Sequence, residues 1–344
     1  MRTYVSSGDV FLAHRLTGEH PERPERLAAI LTAIRASDLA GRLCWVSPRR
    51  ATDQELLRVH TEDYLYDLKK RMGDLAPNGQ GWLDPDTYYG PGTYQAALHA
   101  AGTATELALK IAQSPGETGD NGFALVRPPG HHAGPDRAMG FCLLNNVAVA
   151  TQAVRATGRR VAICDFDVHH GNGTEEVFRT DGGVLFVSLH QFPFYPNTGP
   201  ATSVGEGNGH GKIVNVPLPE GSGSADYKLA FRRVVLPVLR RFAPDLILVS
   251  AGFDGHAKDS LAGMALCEDD YAQMVSSLLS VTSRVLLVLE GGYHKEALSA
   301  SVLAILRVLV DPTGYRPASH DAGDQANDAV RRLCAELQQL HGLK

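Results

Sequence analysis

A chain of 344 residues is long enough for one large α/β domain or two smaller ones. Its 44% hydrophobic and 21% charged residues fit a protein with a sizeable core, and a net charge of −5 argues against a surface that coats nucleic acid. Five widely spaced cysteines, no secretory h-region at the start and no apolar run long enough for a bilayer set the expectation of a reducing, cytoplasmic compartment without a membrane partner.

Short apolar runs at residues 2–6, 43–46, 122–127, 160–165, 184–190, 212–216, 245–251 and 285–290 read as strands. Helical patterns lie between them at 24–36, 52–59, 62–70, 92–113, 144–157, 227–242, 269–283 and 295–310, with a further amphipathic stretch at 326–340. Strands alternating with helices imply right-handed crossovers and a mostly parallel α/β sheet of eight strands, covered on both faces. Gly182-Gly183 and residues 203–211 read as loops, and no repeat or linker divides the chain. A single domain over residues 1–344 is expected, with its core at about residues 2–310.

Ligands of open α/β sheets sit beyond the carboxyl ends of the strands, and here the chemistry-bearing residues gather at those ends. The run ending at Cys164 is followed by Asp165-Phe166-Asp167-Val168-His169-His170-Gly171-Asn172-Gly173. Side chains two apart on an extended chain point the same way, so Asp167 and His169 share one space, and Asp165 can join them. Turn formation by Asp and Asn near Gly is the plainer reading, but three ionisable groups at a buried strand are costly to desolvate without a partner. Asp254 follows another buried run, where Gly252 and Gly255 allow a sharp turn; alone it could be a helix cap. Together these residues make a two-Asp, one-His site with an open position, suited to Zn²⁺ and nearly as well to Fe²⁺ or Co²⁺.

His131-His132 follows the stiff Pro128-Pro129-Gly130, and adjacent imidazoles at an active edge suit proton transfer better than joint ligation of one ion. Asp165 behind one ring would fix its tautomer. Tyr293, after Glu290-Gly291-Gly292, is either an aromatic packed at a strand end or a phenol donor to an oxyanion.

Taken together, these stretches resemble the zinc-dependent histone deacetylase family, which includes acetylpolyamine amidohydrolases. The matching pieces are His20-Pro21-Glu22-Arg23-Pro24-Glu25-Arg26, residues 127–132, Gly140-Phe141-Cys142, residues 165–173, Ser188-Leu189-His190, residues 250–254 and Gly291-Gly292-Tyr293. Residues 133–139 and 171–174 look more like the class II branch and its bacterial relatives. The resemblance implies a three-layer arginase–deacetylase fold. It also implies Zn²⁺ on Asp167, His169 and Asp254, His132 as main general base and acid, His131 as its electrostatic partner backed by Asp165, and Tyr293 polarising the acyl carbonyl. Behind His132 would stand Asn172, where class I members carry Asp, so the ring should be less basic. Phe141 and Tyr195 would wall the acyl channel, Gly140 and Gly291 would line it, and Arg26 would sit near its inner end. An inner K⁺ would use Asp165, Asp167, His169, Ser188 and Leu189, and an outer one backbone oxygens near Phe178, Asp181 and Val184.

The substrate so implied is acetyl-lysine in a peptide or protein. An acetylated polyamine is the alternative, for which Asp84, Asp86 or residues 268–270 could supply a rim carboxylate. An acyl-recognising module of weak activity is disfavoured by the presence of Tyr293. An arginase-like two-metal site is disfavoured because His170 and Gly171 stand where an added Asp would be expected. A homo-oligomer is compatible with the sequence.

Overall fold

The computed structural model describes residues 1–76, 78–115, 119–314 and 325–343. Its strands are β1 (Thr3–Ser6), β2 (Cys44–Val46), β3 (Gly81–Trp82), β4 (Tyr88–Tyr89), β5 (Asn121–Ala124), β6 (Val161–Asp165), β7 (Val184–Gln191), β8 (Ile213–Leu218), β9 (Leu246–Ala251) and β10 (Val285–Leu289). The helices are α1 (Pro24–Ala36), α2 (Asp53–Leu56), α3 (Glu62–Gly73), α4 (Thr93–Ala112), α5 (Asn146–Arg155), α6 (Asn172–Phe178), α7 (Ser224–Ala230), α8 (Leu236–Phe242), α9 (Glu268–Leu279), α10 (Lys295–Val310) and α11 (Asp328–Leu340).

Eight strands form one sheet in the order β2-β1-β5-β10-β9-β6-β7-β8, and every pairing in it is parallel. Helices cover both faces, so β6, β9 and β10 are buried along their whole length. That is why they read as unbroken Val/Ile/Leu runs without polar alternation. α4 and α5 pack on each other, while α10 packs against α1 and α9. The expected single-domain α/β architecture is therefore the one observed.

Some boundaries differ from the sequence expectation. The β5 ladder stops at Ala124 rather than 127, because Arg127 turns its guanidinium into a buried cluster. α5 starts at Asn146, since the Asn145 side chain caps it by accepting the Ala148 N–H at 3.0 Å. The expected helix at 227–242 is a rod from Ser224 to Phe242 with a π-turn at Phe231–Val235, just ahead of Pro237, which lacks the N–H for a regular bond. α6 and the small β3–β4 hairpin lie where no helix or strand was expected. Among the described residues, no helix is long and apolar enough to cross a membrane.

A buried charge cluster ties the N-terminal loop to the sheet. Glu22, fully buried, accepts from Arg26 Nη1 at 3.1 Å, from Arg127 Nε, and from Arg127 Nη2 at 2.7 Å. Arg127 also donates to the carbonyls of Phe11 and His14 at 2.8 and 3.1 Å. Burial opposes the Glu22 charge, yet Arg127 and His14 hold its carboxyl well below the usual range. Removing the anion strands two buried guanidinium groups. Glu22→Ala is therefore expected to lower the unfolding free energy by about 3–5 kcal/mol in denaturant titrations, and a loss under about 1 kcal/mol would contradict this role.

Candidate active site

The site is assembled from loops after four neighbouring strands, β5, β10, β9 and β6. They bring His131 and His132, Tyr293, Asp254, and Asp167 with His169 to one edge.

The metal-type donors converge. His169 Nδ1 lies 3.1 Å from Asp167 Oδ1 and 3.2 Å from Asp254 Oδ2. Backbone groups hold both carboxylates in place. Asp167 accepts N–H bonds from His169 at 2.9 Å and Gly291 at 2.9 Å, and Asp254 accepts from Val168 at 3.0 Å. Asp254 Oδ2 is buried and has no hydrogen bond of its own. Burial opposes a charged His169, but Asp167 and Asp254 outweigh it and lift the ring to about 10. Burial and the Asp167 charge raise Asp254 to about 6. Two buried carboxylates aimed at one ring nitrogen favour positive charge between them, which a ring proton or a metal ion can supply, and the O, N, O donor set suits Zn²⁺. The three residues fit that ion. Gly291 is required here, because a Cβ would overlap the Asp254 carboxylate and crowd Asp167.

The two histidines differ in their supports. His131 Nδ1 faces Asp165 Oδ2 at 3.0 Å, and Asp165 Oδ1 accepts the Asp167 N–H at 3.1 Å. Burial works against a charged His131, but Asp165 and Asp167 raise it to about 10. His132 Nδ1 lies 2.7 Å from Asn172 Oδ1. An amide oxygen only accepts, so Nδ1 carries the hydrogen and Nε2 keeps its lone pair. Burial, then the neighbouring His131 and His169, push His132 well below its ordinary value.

A cavity of about 200 Å³ opens onto both histidines, His169 and Tyr293. Phe141 and Tyr195 wall it, and Gly140 and Gly291 line it. Phe194 was not foreseen; it stacks on His169 with centroids 5.3 Å apart. A Cβ at Gly140 would strike the His132 ring, and its φ of +57° also favours glycine. Burial and Asp254 raise the Tyr293 phenol well above 10, so it stays a donor. Arg26 stands behind Tyr293, Cζ 4.9 Å from the ring centre, but its guanidinium is spent on the carbonyls of Gly292 and Glu290 at 2.6 and 2.5 Å. Asp86 lies on the pocket and Asp84 beside it, while Asp84 Oδ1 is occupied by the N–H groups of Asp86 and Thr87.

Several supporting residues escaped the sequence reading. Asp259 accepts the N–H groups of Tyr293 at 2.6 Å and His294 at 3.0 Å, fixing the loop that carries the phenol. Glu290 accepts the Gly130 N–H at 2.6 Å and the His131 N–H at 3.2 Å. Their position after a strand or glycine turn was the only available signal. The end of β7 does not join the pocket. Ser188 bonds His190 at 2.9 Å, and His190 packs on His170, centroids 4.7 Å apart. Ser188 thus leaves an inner K⁺ chiefly backbone oxygens. In the loop near Phe178 and Val184, the Asp181 carboxylate pairs with Arg155 and accepts the Gly183 N–H at 2.8 Å.

Glu175 anchors the segment that follows Asp167 and His169. It meets His170 Nε2 at 2.9 Å and accepts from Asn215 at 2.7 Å and Ser203 at 2.6 Å. Burial resists its charge, but these partners hold the carboxyl at about 2. A depressed folded value means stability that is full above the unfolded value of about 4.3 and lost as pH falls towards 2. Glu175→Gln should therefore cost on the order of 2 kcal/mol at neutral pH and far less at about pH 2.5 by urea unfolding. An equal loss at both pH values would contradict the ionic role.

A model of the histone deacetylase domain matches residues 20–309. Histone deacetylase 15 of Arabidopsis thaliana is 43% identical over 300 residues, covering 85% of this chain and 53% of that protein, so the chain spans about half the length of that relative. A histone deacetylase-like amidohydrolase of Pseudomonas aeruginosa is 41% identical over 312 residues, 88% of this chain and 79% of its own. A probable deacetylase of Archaeoglobus fulgidus is 36% identical over 334 residues, 92% of this chain and 91% of its own. Among solved structures, the crystal structure of the HDA15 HD domain superimposes with a TM-score of 0.88 at 37% identity, covering 99% of this chain and 94% of that one. With catalytic-type side chains gathered at the carboxyl edge of such a sheet, this chain belongs to the histone deacetylase family.

Proposed function

We propose that residues 1–344 act as one catalytic unit, a zinc-dependent deacylase hydrolysing the amide of acetyl-lysine in peptides or proteins. The observation that carries this reading is the convergence of Asp167, His169 and Asp254 on one point, with the free nitrogen of His132 and the neutral phenol of Tyr293 on the same small pocket. The family membership and the Pseudomonas aeruginosa amidohydrolase at 41% identity support the same reaction class.

Asp167, His169 and Asp254 would hold Zn²⁺, with Fe²⁺ served by the same donors. When bound, the ion supplies Lewis-acid polarisation of an acyl carbonyl and acidifies water. His132, with Nδ1 tied to Asn172, has Nε2 ready to take the proton of the attacking water. Its depressed basicity keeps it neutral at working pH, as a base must be. His131, held charged by Asp165, offers a positive neighbour and a proton for the departing amine. Tyr293 donates to the oxyanion. Phe141, Tyr195 and Phe194 exclude water around the methylene stem of the substrate. K⁺ is proposed at the inner oxygens of Asp165, Asp167, His169, Ser188 and Leu189, with the site near Phe178, Asp181 and Val184 as a second one.

An acetylated polyamine is the second reading, favoured by Asp86 on the pocket, where a carboxylate can receive a distal ammonium. Parallel turnover of an acetyl-lysine peptide and N8-acetylspermidine separates the two. A chelator should abolish hydrolysis of either and added Zn²⁺ should restore it; turnover persisting in metal-stripped protein would refute the reading. Tyr293→Phe should lower kcat/KM by about two orders of magnitude. Asp259→Asn, which disturbs the loop carrying Tyr293, should lower kcat about tenfold and have almost no further effect in the Tyr293→Phe background. Fully additive losses would show that Asp259 acts elsewhere.

A further inference from the structure

One group of buried donors has no part in the proposed zinc triad. A His131 ring nitrogen, Cys142 Sγ and a carboxylate oxygen of Glu290 lie within 4.8 Å of one another, and none of the three residues is more than 3% exposed. Glu290 spends Oε2 on the N–H groups of Gly130 and His131, while Oε1 is buried without a partner. Cys142 Sγ donates only to the Gly140 carbonyl, at 3.3 Å. Burial raises the Glu290 carboxyl to about 8 and pushes the Cys142 thiol well above its usual value, so both hold protons that a cation can replace. Thiolate, imidazole and carboxylate are the ligands that zinc prefers, and bonds of about 2.0–2.3 Å would draw the three donors inward by less than an ångström each.

We propose that His131, Cys142 and Glu290 form a second, weaker site for a thiophilic divalent cation, Zn²⁺, and that filling it stops hydrolysis by engaging His131. The site is weaker than the Asp167–His169–Asp254 triad because Cys142, Glu290 and the His131 imidazolium must all first release a proton to solvent. His131 also lines the pocket, which gives the ion a route in. Product and substrate chemistry are untouched by this binding; the ion withdraws an imidazole from proton transfer. The inhibitory part of the proposal rests on the deacylase reading, whereas the binding part stands without it.

The test uses the full chain carrying one equivalent of zinc. Added Co²⁺ should give a near-ultraviolet thiolate-to-cobalt charge-transfer band, and equilibrium dialysis against Zn²⁺ should show a second equivalent whose uptake tracks loss of activity. Cys142→Ser should keep one-zinc activity within about threefold, lose the band, and need at least about tenfold more zinc for half-inhibition. Glu290→Gln should weaken the second equivalent in the same direction while keeping an acceptor for Gly130 and His131. Absence of the band from the wild-type chain, or second-zinc uptake by Cys142→Ser matching the wild type, would overturn the site. Inactivity of the one-zinc chain on every acyl substrate would count against the deacylase reading alone, and the cobalt band would still decide the second site.

Discussion

Two carboxylates sharing one buried imidazole set the terms for everything around them. Asp167 and Asp254 both face His169 Nδ1 from just over 3 Å, where water cannot dilute their repulsion. The fold responds with backbone dipoles: N–H groups of Val168, His169 and Gly291 hold the carboxylates in orientations they would otherwise leave. Those bonds fix the direction of the oxygens but leave a demand for positive charge between them. The requirement for a bare glycine at 291 follows from the same crowding.

A second node of buried charge steadies the first. Glu22 gathers Arg26 and Arg127, and Arg26 reaches onward to the carbonyls of Glu290 and Gly292. The loop that presents Tyr293 is therefore gripped from two sides, by Arg26 on its carbonyls and by Asp259 on its N–H groups. Glu290 extends the grip to the backbone of the paired histidines. The phenol is thus positioned through main-chain hydrogen bonds of its loop, while the paired imidazoles are held by main-chain bonds to Glu290 and by the side chains of Asp165 and Asn172. Preorganisation of this kind is what a reaction centre built from loops needs.

The sequence was most legible where burial was most complete. Continuous Val, Ile and Leu runs located β6, β9 and β10 to within a residue or two, and the polar residues after them meet at one edge of the sheet. That Asp165 backs one ring of the His131-His132 pair was read from the residues, but which ring it backs, and the pairing of His132 with Asn172, were legible only through the family resemblance, since nothing local links positions 34 and 40 residues apart. α6 escaped because Asn172-Gly173 carries turn chemistry, and the β3–β4 hairpin because two-residue strands leave no period to detect. Arg127 looked like the end of a strand because its partner, Glu22, lies 105 residues earlier. Asp259 and Glu290 act through main-chain N–H groups, and such bonds leave no pattern of side chains to read. The end of β7 turns to its own buried partner, since His190 packs against His170.

The position of β10 has a bearing on how such a site comes into being. This strand is the last of the sheet in the chain, yet it lies between β5 and β9 and pairs with both. Until residues 285–289 emerge from the ribosome, the earlier strands can form only two separate half-sheets, β2-β1-β5 on one side and β9-β6-β7-β8 on the other. The histidine pair belongs to the first half and the three metal-type ligands to the second, with Tyr293 following the strand that joins them. A nascent chain therefore cannot unite these groups early, and assembly of the centre is deferred until β10 and the residues after it have been made.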